Sequence, residues 1–429
     1  MTRDAKRIGV LTSGGDCPGL NAVIRGVVKT AERHGYGVVG FLKGYEGLVD
    51  PVTYVPLNHK NTSGILTQGG TILGSTNKGR FAATVGVHDR VNLDPELLAG
   101  VQATVEQLNL NGIVCVGGDG SLAVAQQLHE AGIPVVGVPK TIDNDLSATA
   151  FTFGFDSAVA CATDALDRLH TTAASHERIM VLEVMGRHAG WIALYAGIAG
   201  GGDVILIPEI DWTFENVCSK ILEREKDGKR FTLIVVAEGV ELPDGGTVNA
   251  ERRQEARRTR LGGIGNVVAY EVEKRLGRET RTCILGHLQR GGPPSTFDRV
   301  LATQFGSHAV RLILEGRLGE MVCYQPPVID SVPIIEAVNQ LSQVDANSSA
   351  VQAARALGIS FGDSSEIMPF DAEDVIAGEA NAGAVVEVTE EPMAAEPAAE
   401  TTESAVAETM QKIPVEWEAA AAYADSAIW

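Results

Sequence analysis

Two glycine-rich turns have the composition of phosphate-binding loops. Residues 12–19 read T-S-G-G-D-C-P-G and residues 117–121 read G-G-D-G-S, and each turn lies between an apolar run and a helical pattern. Closely spaced glycines at the start of a helix present backbone N–H groups to an anion, and the helix dipole adds to the attraction. Neither turn matches G-x-G-x-x-G or G-x-x-x-x-G-K-[ST], which excludes the dinucleotide fingerprint and the Walker loop. Two such turns in one chain predict a phosphate site, although either alone is compatible with a structural turn.

Three aspartates accompany these turns. Asp119 lies in the second turn, and Asp143 and Asp145 lie in P-K-T-I-D-N-D at 139–145, after another apolar run. A carboxylate beside bare backbone amides can hold Mg²⁺, which in turn holds phosphate oxygens. A helix-cap role for Asp119 or Ser121 is the structural alternative. Of the two later aspartates, one can accept a proton from an attacking hydroxyl while the other supports the metal or the loop, but a surface turn with two Asp is common.

Arginine and histidine side chains recur in loops at the ends of strands. Arg187 follows one strand in E-V-M-G-R-H-A-G, and His287 and Arg290 follow another in G-H-L-Q-R-G-G. Arg178 precedes the first of these strands, and Arg281 opens the second. The planar guanidinium binds phosphate oxygens bidentately, whereas the alternative, surface salt bridging, contributes little stability. Together with the turns and the aspartates, these residues predict phosphoryl transfer to a phosphorylated acceptor, by positioning and charge stabilisation.

The elements that must position these residues alternate between strand and helix. Apolar runs such as R-I-G-V-L-T at 7–12 and G-I-V-C-V at 112–116 are each followed by a glycine-rich turn and a helical pattern. This alternation predicts mostly parallel sheets with helices on both faces, and the sites of such folds lie beyond the carboxyl ends of the strands. We therefore predict an α/β protein with two three-layer domains and a cleft between them. The predicted boundaries are 1–154 with 267–320 for the first domain and 155–266 with 321–345 for the second.

An acidic tail is predicted to follow the two domains. The net charge is −20, and residues 371–429 hold 14 acidic residues and one basic residue. Few large apolar residues and a high net charge predict disorder, so we expect 346–429 to be a largely disordered tail. Truncation after Ser348 is then expected to leave a folded, active protein. Apolar residues from Val415 to Ile428 recur at helical spacing; a frayed helix on the body is favoured over a peptide that docks on a partner or on the chain's own active site.

Charge, cysteine usage and hydropathy disfavour several classes of protein. A net charge of −20 opposes binding to nucleic acid or to an anionic membrane. None of the six cysteines lies in a C-x-x-C pair, so we expect neither a zinc site nor a redox motif. No apolar run reaches the ~18 residues of a membrane-spanning helix, and no secretory leader is visible. We expect a cytoplasmic protein with no nucleic-acid and no membrane partner.

The order and length of the motifs resemble the bacterial 6-phosphofructokinases from about Arg7 to Val344. The resemblance rests on the two glycine-rich turns, P-K-T-I-D-N-D, S-H-E-R-I, E-V-M-G-R-H-A-G and G-H-L-Q-R-G-G-P-P-S-T-F-D-R. It implies a nucleotide-binding first domain, a sugar-phosphate-binding second domain and a homotetramer. It also implies a glycolytic reaction with Mg²⁺ as cofactor. In that reaction the γ-phosphoryl of ATP passes to the 1-hydroxyl of fructose 6-phosphate, giving fructose 1,6-bisphosphate and ADP.

The resemblance further implies roles for single residues. Asp143 matches the general base that accepts the 1-hydroxyl proton, and Asp119 matches the Mg²⁺ residue. Thr141 and Arg187 match groups around the transferred phosphoryl. The remaining matched contacts are, for the nucleotide, Gly15, Tyr45, Gly118, Gly120 and Ser121; for the sugar phosphate, Met185, Gly186, Glu238, His287 and Arg290; and, from a neighbouring subunit, Arg178 and Arg281.

Two positions bear on the choice of phosphoryl donor. Gly120 is typical of ATP users, because an Asp there would crowd and repel the α-phosphate of ATP, whereas Lys140 is typical of the pyrophosphate branch. Position 120 decides by exclusion, so we predict ATP, with a pyrophosphate-dependent enzyme as the alternative. Asn77 stands where the family often has Arg, and Lys78 or Arg80 are candidates to replace that contact. A noncatalytic regulatory subunit is a further alternative, which the intact aspartates and arginines disfavour.

Overall fold

Two separate sheets carry the fold of the computed structural model, which describes residues 6–76, 79–81, 91–247, 262–338 and 340–364. The strands are β1 Arg7–Thr12, β2 Gly37–Phe41, β3 Tyr54–Leu57, β4 Leu110–Gly117, β5 Val135–Pro139, β6 Ile179–Val184, β7 Val204–Leu206, β8 Thr232–Ala237, β9 Glu241–Leu242, β10 Gly246–Thr247, β11 Thr280–Ile284, β12 Glu320–Gln325 and β13 Val328–Pro333. The helices are α1 Leu20–Arg33, α2 Pro95–Leu108, α3 Asp119–Glu130, α4 Phe155–His176, α5 Trp191–Ala199, α6 Phe214–Lys226, α7 Ile264–Leu276, α8 Thr296–Glu315, α9 Ile334–Val338 and α10 Ser349–Ala356. Short 3₁₀ turns span Gly44–Leu48, Ile65–Thr67 and Gly286–Arg290. Within these described ranges, every helix is too short or too polar to cross a membrane.

The first sheet has seven strands in the order β13-β12-β5-β4-β1-β2-β3. The five inner strands pair in parallel, and only the two edges, β3 and β13, pair antiparallel. Side chains on both faces of β1 and β4 are fully buried: Ile8, Val10 and Val114 lie in the core on one face, and Leu11 and Ile113 lie in the core on the other. Burial on both faces is what a parallel sheet covered by helices on either side requires. It explains why these strands read as continuous apolar runs rather than alternating ones.

One face of the first sheet is covered by two helices that approach closely. Gly26 of α1 faces the Thr303 carbonyl of α8, where a Cβ would lie 2.8 Å from the oxygen. Gly306 of α8 in turn faces the Val23 carbonyl of α1, and a Cβ there would overlap that oxygen. The two glycines therefore allow the backbones of α1 and α8 to come into contact. This contact fixes α1, and with it the first glycine-rich turn before α1, against α8.

The second sheet has four parallel strands in the order β11-β6-β8-β7. β6 and β8 lie at its centre, and all six residues of each strand are buried. Helices α4 and α5 pack against this pair, and α7 packs against β11 and β6. The carboxyl ends of the two central strands lead directly into Met185 and Glu238, both of which carry predicted contacts to the sugar phosphate.

The predicted domain boundaries exchange two segments. The prediction assigns 267–320 to the first domain, but β11 and α7 belong to the second sheet. It assigns 321–345 to the second domain, but β12 and β13 complete the first sheet. The chain therefore returns to the first sheet only after β11, later than expected. Short apolar strands do not record in their own sequence which sheet they join, since that depends on partners distant along the chain.

The predicted tail also begins too early. Residues 346–364 are ordered: α10 packs on α5, and Ser360 pairs in parallel with Val204 at the edge of β7. Phe361, behind that pairing, is fully buried. The acidic composition that predicts disorder starts only at residue 371, so the prediction extended it over a segment that covers an open sheet edge. Residues 365–429, including the apolar stretch near the end, lie outside the described part of the chain.

Candidate active site

Three neighbouring strands of the first sheet end side by side and bring both glycine-rich turns together. Thr12 of β1 pairs with Val116 of β4, and Gly117 of β4 pairs with Pro139 of β5. Beyond the strands, Ser13 N donates to the Val116 carbonyl at 2.9 Å, and Lys140 N donates to the Gly117 carbonyl at 2.9 Å. The turns at 12–19 and 117–121 and the loop 139–145 therefore share one edge of the sheet, as the rule for parallel strands predicts.

The second turn forms the amino end of α3. Gly118 is the cap residue and has no side chain to occupy the first N–H groups of the helix. Asp119, the first helical residue, is exposed, and Gly120 and Ser121 follow it. Gly117 approaches Ser121 so closely that a Cβ at position 117 would overlap the Ser121 side chain. Among the described residues, no side chain caps this helix start, and one exposed carboxylate lies beside it; this suits a phosphate chain with a bound cation.

Tyr45 supports this helix start from below. Its ring is 2% exposed, and its hydroxyl donates to the Ser121 carbonyl at 2.7 Å. It also packs against Phe81, with 5.6 Å between ring centroids. Tyr45, to which the resemblance assigns a contact with the nucleotide, therefore also has a structural role.

Asp143 is held in a tightly bonded loop but keeps one carboxylate oxygen unpaired. Thr141 Oγ1 donates to Asp145 Oδ1 at 2.9 Å and accepts from Asp143 N at 3.1 Å. Within the described residues, Asp143 Oδ1 is buried without a hydrogen-bond partner. A buried, unpaired acceptor is unusual in a native protein and asks for a functional explanation. Asp143 therefore offers a free acceptor oxygen beside the two glycine-rich turns.

The charges around Asp143 act in opposite directions on its pKa. Burial raises the pKa of the carboxyl, and Asp119 adds to this, whereas Arg290, Lys140 and Arg187 lower it. The neighbouring Asp145 has a pKa raised by burial and by the charge of Asp143. Burial outweighs the three cations, so the pKa of Asp143 is raised overall, and the cations limit that rise.

Lys140 lies inside the site rather than at its rim. The residue is 3% exposed, and its ammonium group donates to the Gly15 carbonyl of the first turn at 2.5 Å. Burial lowers the pKa of Lys140, while the nearby Cys17, Asp119 and Asp143 raise it. Lys140 consequently connects the first glycine-rich turn to the aspartates of the second and third loops.

Residues from the second sheet approach the same aspartates. Glu238 follows β8, and its N–H donates to the Val184 carbonyl of β6 at 2.9 Å. Burial, followed by Asp143 and Glu183, raises the pKa of Glu238 to about 7, against the pull of Arg290 and Arg187. Because Asp143 follows a strand of the first sheet, its influence on Glu238 means that the carboxyl ends of the two sheets converge.

Arg290 makes the direct connection between the two sides. It ends the turn Gly286–Arg290, and its Nη1 donates to the Asp16 carbonyl at 3.1 Å. Gly15 faces the same guanidinium, where a Cβ would lie 2.8 Å from Nη1. A side chain at position 15 would displace Arg290. His287 lies on the same turn and is exposed.

Residues 7–313 match the protein family described as phosphofructokinase. A protein of Chloroflexus aurantiacus named ATP-dependent 6-phosphofructokinase is 50% identical over 363 residues, which span 85% of this chain and 99% of the relative. A protein of Streptomyces coelicolor named pyrophosphate–fructose 6-phosphate 1-phosphotransferase is 48% identical over 342 residues, 79% of this chain and 96% of the relative. Among solved structures, phosphofructokinase from Saccharomyces cerevisiae superposes with a TM-score of 0.67 at 31% identity. That superposition covers 78% of this chain and 45% of the yeast chain.

This chain belongs to the phosphofructokinase family. The family match ends at residue 313, before β12, whereas the alignment to the Chloroflexus relative extends over 85% of the chain. The alignment to the Chloroflexus relative therefore includes residues beyond α8. The strands β12 and β13, which follow α8, are integral to the first sheet.

Two arginines that the resemblance assigns to the site of a neighbouring subunit lie away from the site of their own chain. Arg178 precedes β6 and Arg281 lies in β11, at the amino ends of these parallel strands. Arg178 Nε and Arg281 Nη2 both pair with Glu279, at 2.9 Å and 2.6 Å. The site lies at the carboxyl ends, and a six-residue strand spans roughly 20 Å. Arg178 and Arg281 therefore do not reach the Asp143 site of their own chain.

Two residues that shape the loops of the site, Asn21 and Asn144, were not predicted from the sequence. Asn21, buried in α1, donates from Nδ2 to the Gln68 carbonyl at 3.1 Å and accepts from Ile72 N at 2.9 Å, which fixes the loop before Thr76. Asn144 has a positive φ of 51° and accepts from Thr152 N at 2.9 Å, which shapes the Asp143 loop. An amide on the apolar face of a predicted helix was the available signal for Asn21. Asn77 and Lys78 lie outside the described residues.

Proposed function

We propose that this chain is an ATP-dependent 6-phosphofructokinase. It transfers the γ-phosphoryl of ATP to the 1-hydroxyl of fructose 6-phosphate and releases fructose 1,6-bisphosphate and ADP. The observation that carries the proposal is the unpaired buried Oδ1 of Asp143, which lies among three cations beside two glycine-rich turns. A base, a phosphate cradle and fixed positive charge are the parts that phosphoryl transfer needs. The names and high identities of the relatives support this choice of acceptor and donor.

In this mechanism Asp143 is the general base. It accepts the proton of the 1-hydroxyl as that oxygen attacks the γ-phosphorus, and the bond from the γ-phosphorus to the bridging oxygen of ADP breaks. A base must be ionised before the reaction. Burial raises the pKa of Asp143, and Arg290, Lys140 and Arg187 limit that rise. The same cations are placed to stabilise charge on the phosphoryl oxygens during transfer.

The donor side of the mechanism uses the two turns and Thr141. Backbone N–H groups at the start of α3 and around Gly15 bind the phosphate chain. The hydroxyl of Thr141 bonds to Asp145, so it is held in a fixed orientation beside the base. Because donors that are fixed in advance need not reorganise during the reaction, they stabilise the transition state most effectively.

The side chains of the site offer few ligands for Mg²⁺. The described residues offer no group of three or more side chains that could enclose a cation. Mg²⁺ commonly uses one or two carboxylates and completes its shell with substrate phosphates and water. The exposed carboxylate of Asp119 at the start of α3 is suited to that role, with Asp143 nearby. When bound with ATP, the ion would neutralise phosphate charge.

Pyrophosphate is the second candidate donor. Lys140 lies buried in the site next to Gly15, and a relative that is 48% identical is named for pyrophosphate. Gly120, the second residue of α3, leaves room for the α-phosphate of ATP, and this steric argument favours ATP. Lys140 is then a phosphate contact that both donors tolerate.

We further propose that two copies of the chain complete each site within a homotetramer. Arg178 and Arg281 would bind the sugar phosphate of a neighbouring subunit, since they lie far from the site of their own chain. Nearby side chains at the edge of the second sheet include the exposed Ile284 and Leu288. Exposed apolar side chains around an edge strand favour assembly. The cytoplasmic location stays a prediction.

Replacement of Asp143 tests the proposed function. We expect Asp143→Asn to lower turnover with fructose 6-phosphate and ATP by about 10²–10⁴-fold, because the amide keeps the shape but does not accept the proton. Binding of fructose 6-phosphate, measured by calorimetry, should stay within a few-fold of wild type. Asp164→Asn, an exposed residue of α4 paired with Arg168, is the matched control. Unchanged turnover of Asp143→Asn would refute the assignment.

A further inference from the structure

We propose that Gln289 is a positioning residue that fixes the sugar-phosphate side of the site. It connects the segment 185–187 after β6 to the turn 286–290 after β11. The inference rests on the proposed function, because both segments carry the residues assigned to fructose 6-phosphate. Gln289 itself is 1% exposed, so it acts through its neighbours and not by contact with the substrate.

The hydrogen-bond ladder between β6 and β11 ends just before these segments. Its last backbone bond runs from Leu285 N to the Glu183 carbonyl, at 3.1 Å. The chain then leaves the strand direction and forms the 3₁₀ turn Gly286–Arg290. In a parallel ladder the next donor on β6 would be Met185 N. That N–H donates instead to Oε1 of Gln289, at 3.3 Å. A side-chain amide therefore supplies the bond that the strand no longer supplies.

The other half of the amide holds the turn. Nε2 of Gln289 donates to the Gly286 carbonyl at 3.1 Å, across the turn that carries His287 and Arg290. One buried side chain thus bonds to both segments at once. A buried N–H that loses its acceptor bears a desolvation cost, so the loss of this amide would be felt at Met185 and along the turn.

A backbone hydrogen bond holds the opposite side of the segment at 185–187. Gly239 N donates to the Gly186 carbonyl at 3.0 Å. Gly186 has a φ of +141°, so the chain departs from strand geometry there, and Arg187 follows within electrostatic reach of Asp143 and Glu238. Gln289 provides the restraint on the β11 side. Without it, we expect Arg187, His287 and Arg290 to be less well aligned for the same substrate.

Replacement by an apolar side chain of similar length tests the role. We expect Gln289→Met to raise KM for fructose 6-phosphate about tenfold and to leave KM for ATP within twofold. Calorimetry without a donor should show fructose 6-phosphate binding weakened by a similar factor. If Gln289→Met does not fold, Gln289→Asn keeps the amide but is one methylene too short to bond both segments, and the same two constants are measured.

Gln127 provides a matched control. It is also buried, accepts from Leu93 N at 2.7 Å and donates to the Val91 carbonyl at 2.9 Å, so it links α3 to a segment away from the sugar-phosphate loops. Gln127→Met should lower the unfolding temperature without changing KM for fructose 6-phosphate. A folded Gln289 variant with that KM within twofold of wild type would overturn the proposal. So would equal rises in both KM values, or the same rise in Gln127→Met. Failure of the proposed function is a separate result, in which the wild-type protein neither binds nor phosphorylates fructose 6-phosphate.

Discussion

Asp143 and Glu238 show how single residues of the two sheets depend on each other. They follow strands of different sheets, yet the charge of Asp143 helps to raise the pKa of Glu238. Arg290 and Arg187 act on both carboxyls in the opposite direction. Acidic side chains therefore lie close together where a sugar hydroxyl would bind, and the two arginines offset the repulsion between them. The free energy of unfolding should therefore depend on pH through these carboxyls.

Glu238 should make the folded protein less stable as the pH rises. Its pKa is about 7 in the folded protein against an ordinary 4.5, so the folded state holds this proton more tightly than the unfolded state. The resulting stabilisation is complete below pH 4.5 and is lost as the pH rises through 7. Glu238→Gln removes this titration. Relative to wild type, we expect its free energy of unfolding to be about 2 kcal/mol higher at pH 8 than at pH 5, measured by urea unfolding.

The control for this measurement is Glu241→Gln, an exposed position on the same segment. The result that contradicts the pKa assignment is a difference between Glu238→Gln and wild type that does not change with pH. If the unfolding free energy of Glu238→Gln relative to wild type falls as the pH rises, the direction of the pKa shift is contradicted.

At the scale of elements, the site was predictable where local sequence determines local structure. The glycine-rich turns and P-K-T-I-D-N-D follow strands whose apolar runs are unmistakable, and parallel strands align their carboxyl ends. Asp119 and Asp143 therefore share one edge of the sheet, as the strand–turn–helix pattern indicates. Asn144 was missed because its left-handed backbone and its bond to Thr152 depend on a loop conformation that no periodicity records.

Contacts between distant segments were not predictable in this way. The assignment of β11 to the second sheet and of β12 to the first follows from pairings with strands about 100 or more residues away. Gln289 reads as one polar residue in a glycine-rich loop, and its role emerges only when Met185 is beside it. Sequence patterns predict which elements form, whereas partner choice depends on the assembled core.

The segment 346–364 should stabilise the second sheet. It buries Phe361, Val351 and Ala354 and pairs with the edge of β7. We compare a chain that ends at residue 364 with one that ends at residue 345. Because removing one buried Phe side chain costs 3–5 kcal/mol in general, we expect the shorter chain to lose at least about 3 kcal/mol of unfolding free energy in urea. Equal stability of the two chains would contradict the role given to this segment, and a smaller loss would reduce it.

At the scale of the whole molecule, the position of Arg281 bears on the proposal that two subunits form each active site. Arg281 lies at the amino end of β11 and pairs with Glu279. Asp143, in contrast, lies beyond the carboxyl end of β5, at the edge where the carboxyl ends of the two sheets converge. If each site combines Asp143 of one subunit with Arg281 of its neighbour, two different defects should compensate in a mixed assembly. An isologous pair with one defect in each chain contains one intact site and one with both defects.

Complementation tests this arrangement. We expect Asp143→Asn and Arg281→Ala each to be nearly inactive at low fructose 6-phosphate when expressed alone. Co-expressed with two different tags and purified through both, they should recover activity, to about a quarter of wild type for random pairing. Asp143→Asn co-expressed with the double variant is the control and should stay inactive. No recovery in a doubly tagged assembly would mean that Arg281 does not serve a neighbouring site.

The most direct test of the central claim is a comparison of donors with the full-length wild-type protein. Turnover of fructose 6-phosphate with Mg²⁺ is measured with ATP and, separately, with pyrophosphate, at saturating concentrations of each. We predict fructose 1,6-bisphosphate and ADP with ATP, and little or no product with pyrophosphate, because Gly120 leaves room for the α-phosphate. Turnover with pyrophosphate alone would contradict the donor assignment and give Lys140 the deciding role, and silence with both donors would contradict the proposed function itself.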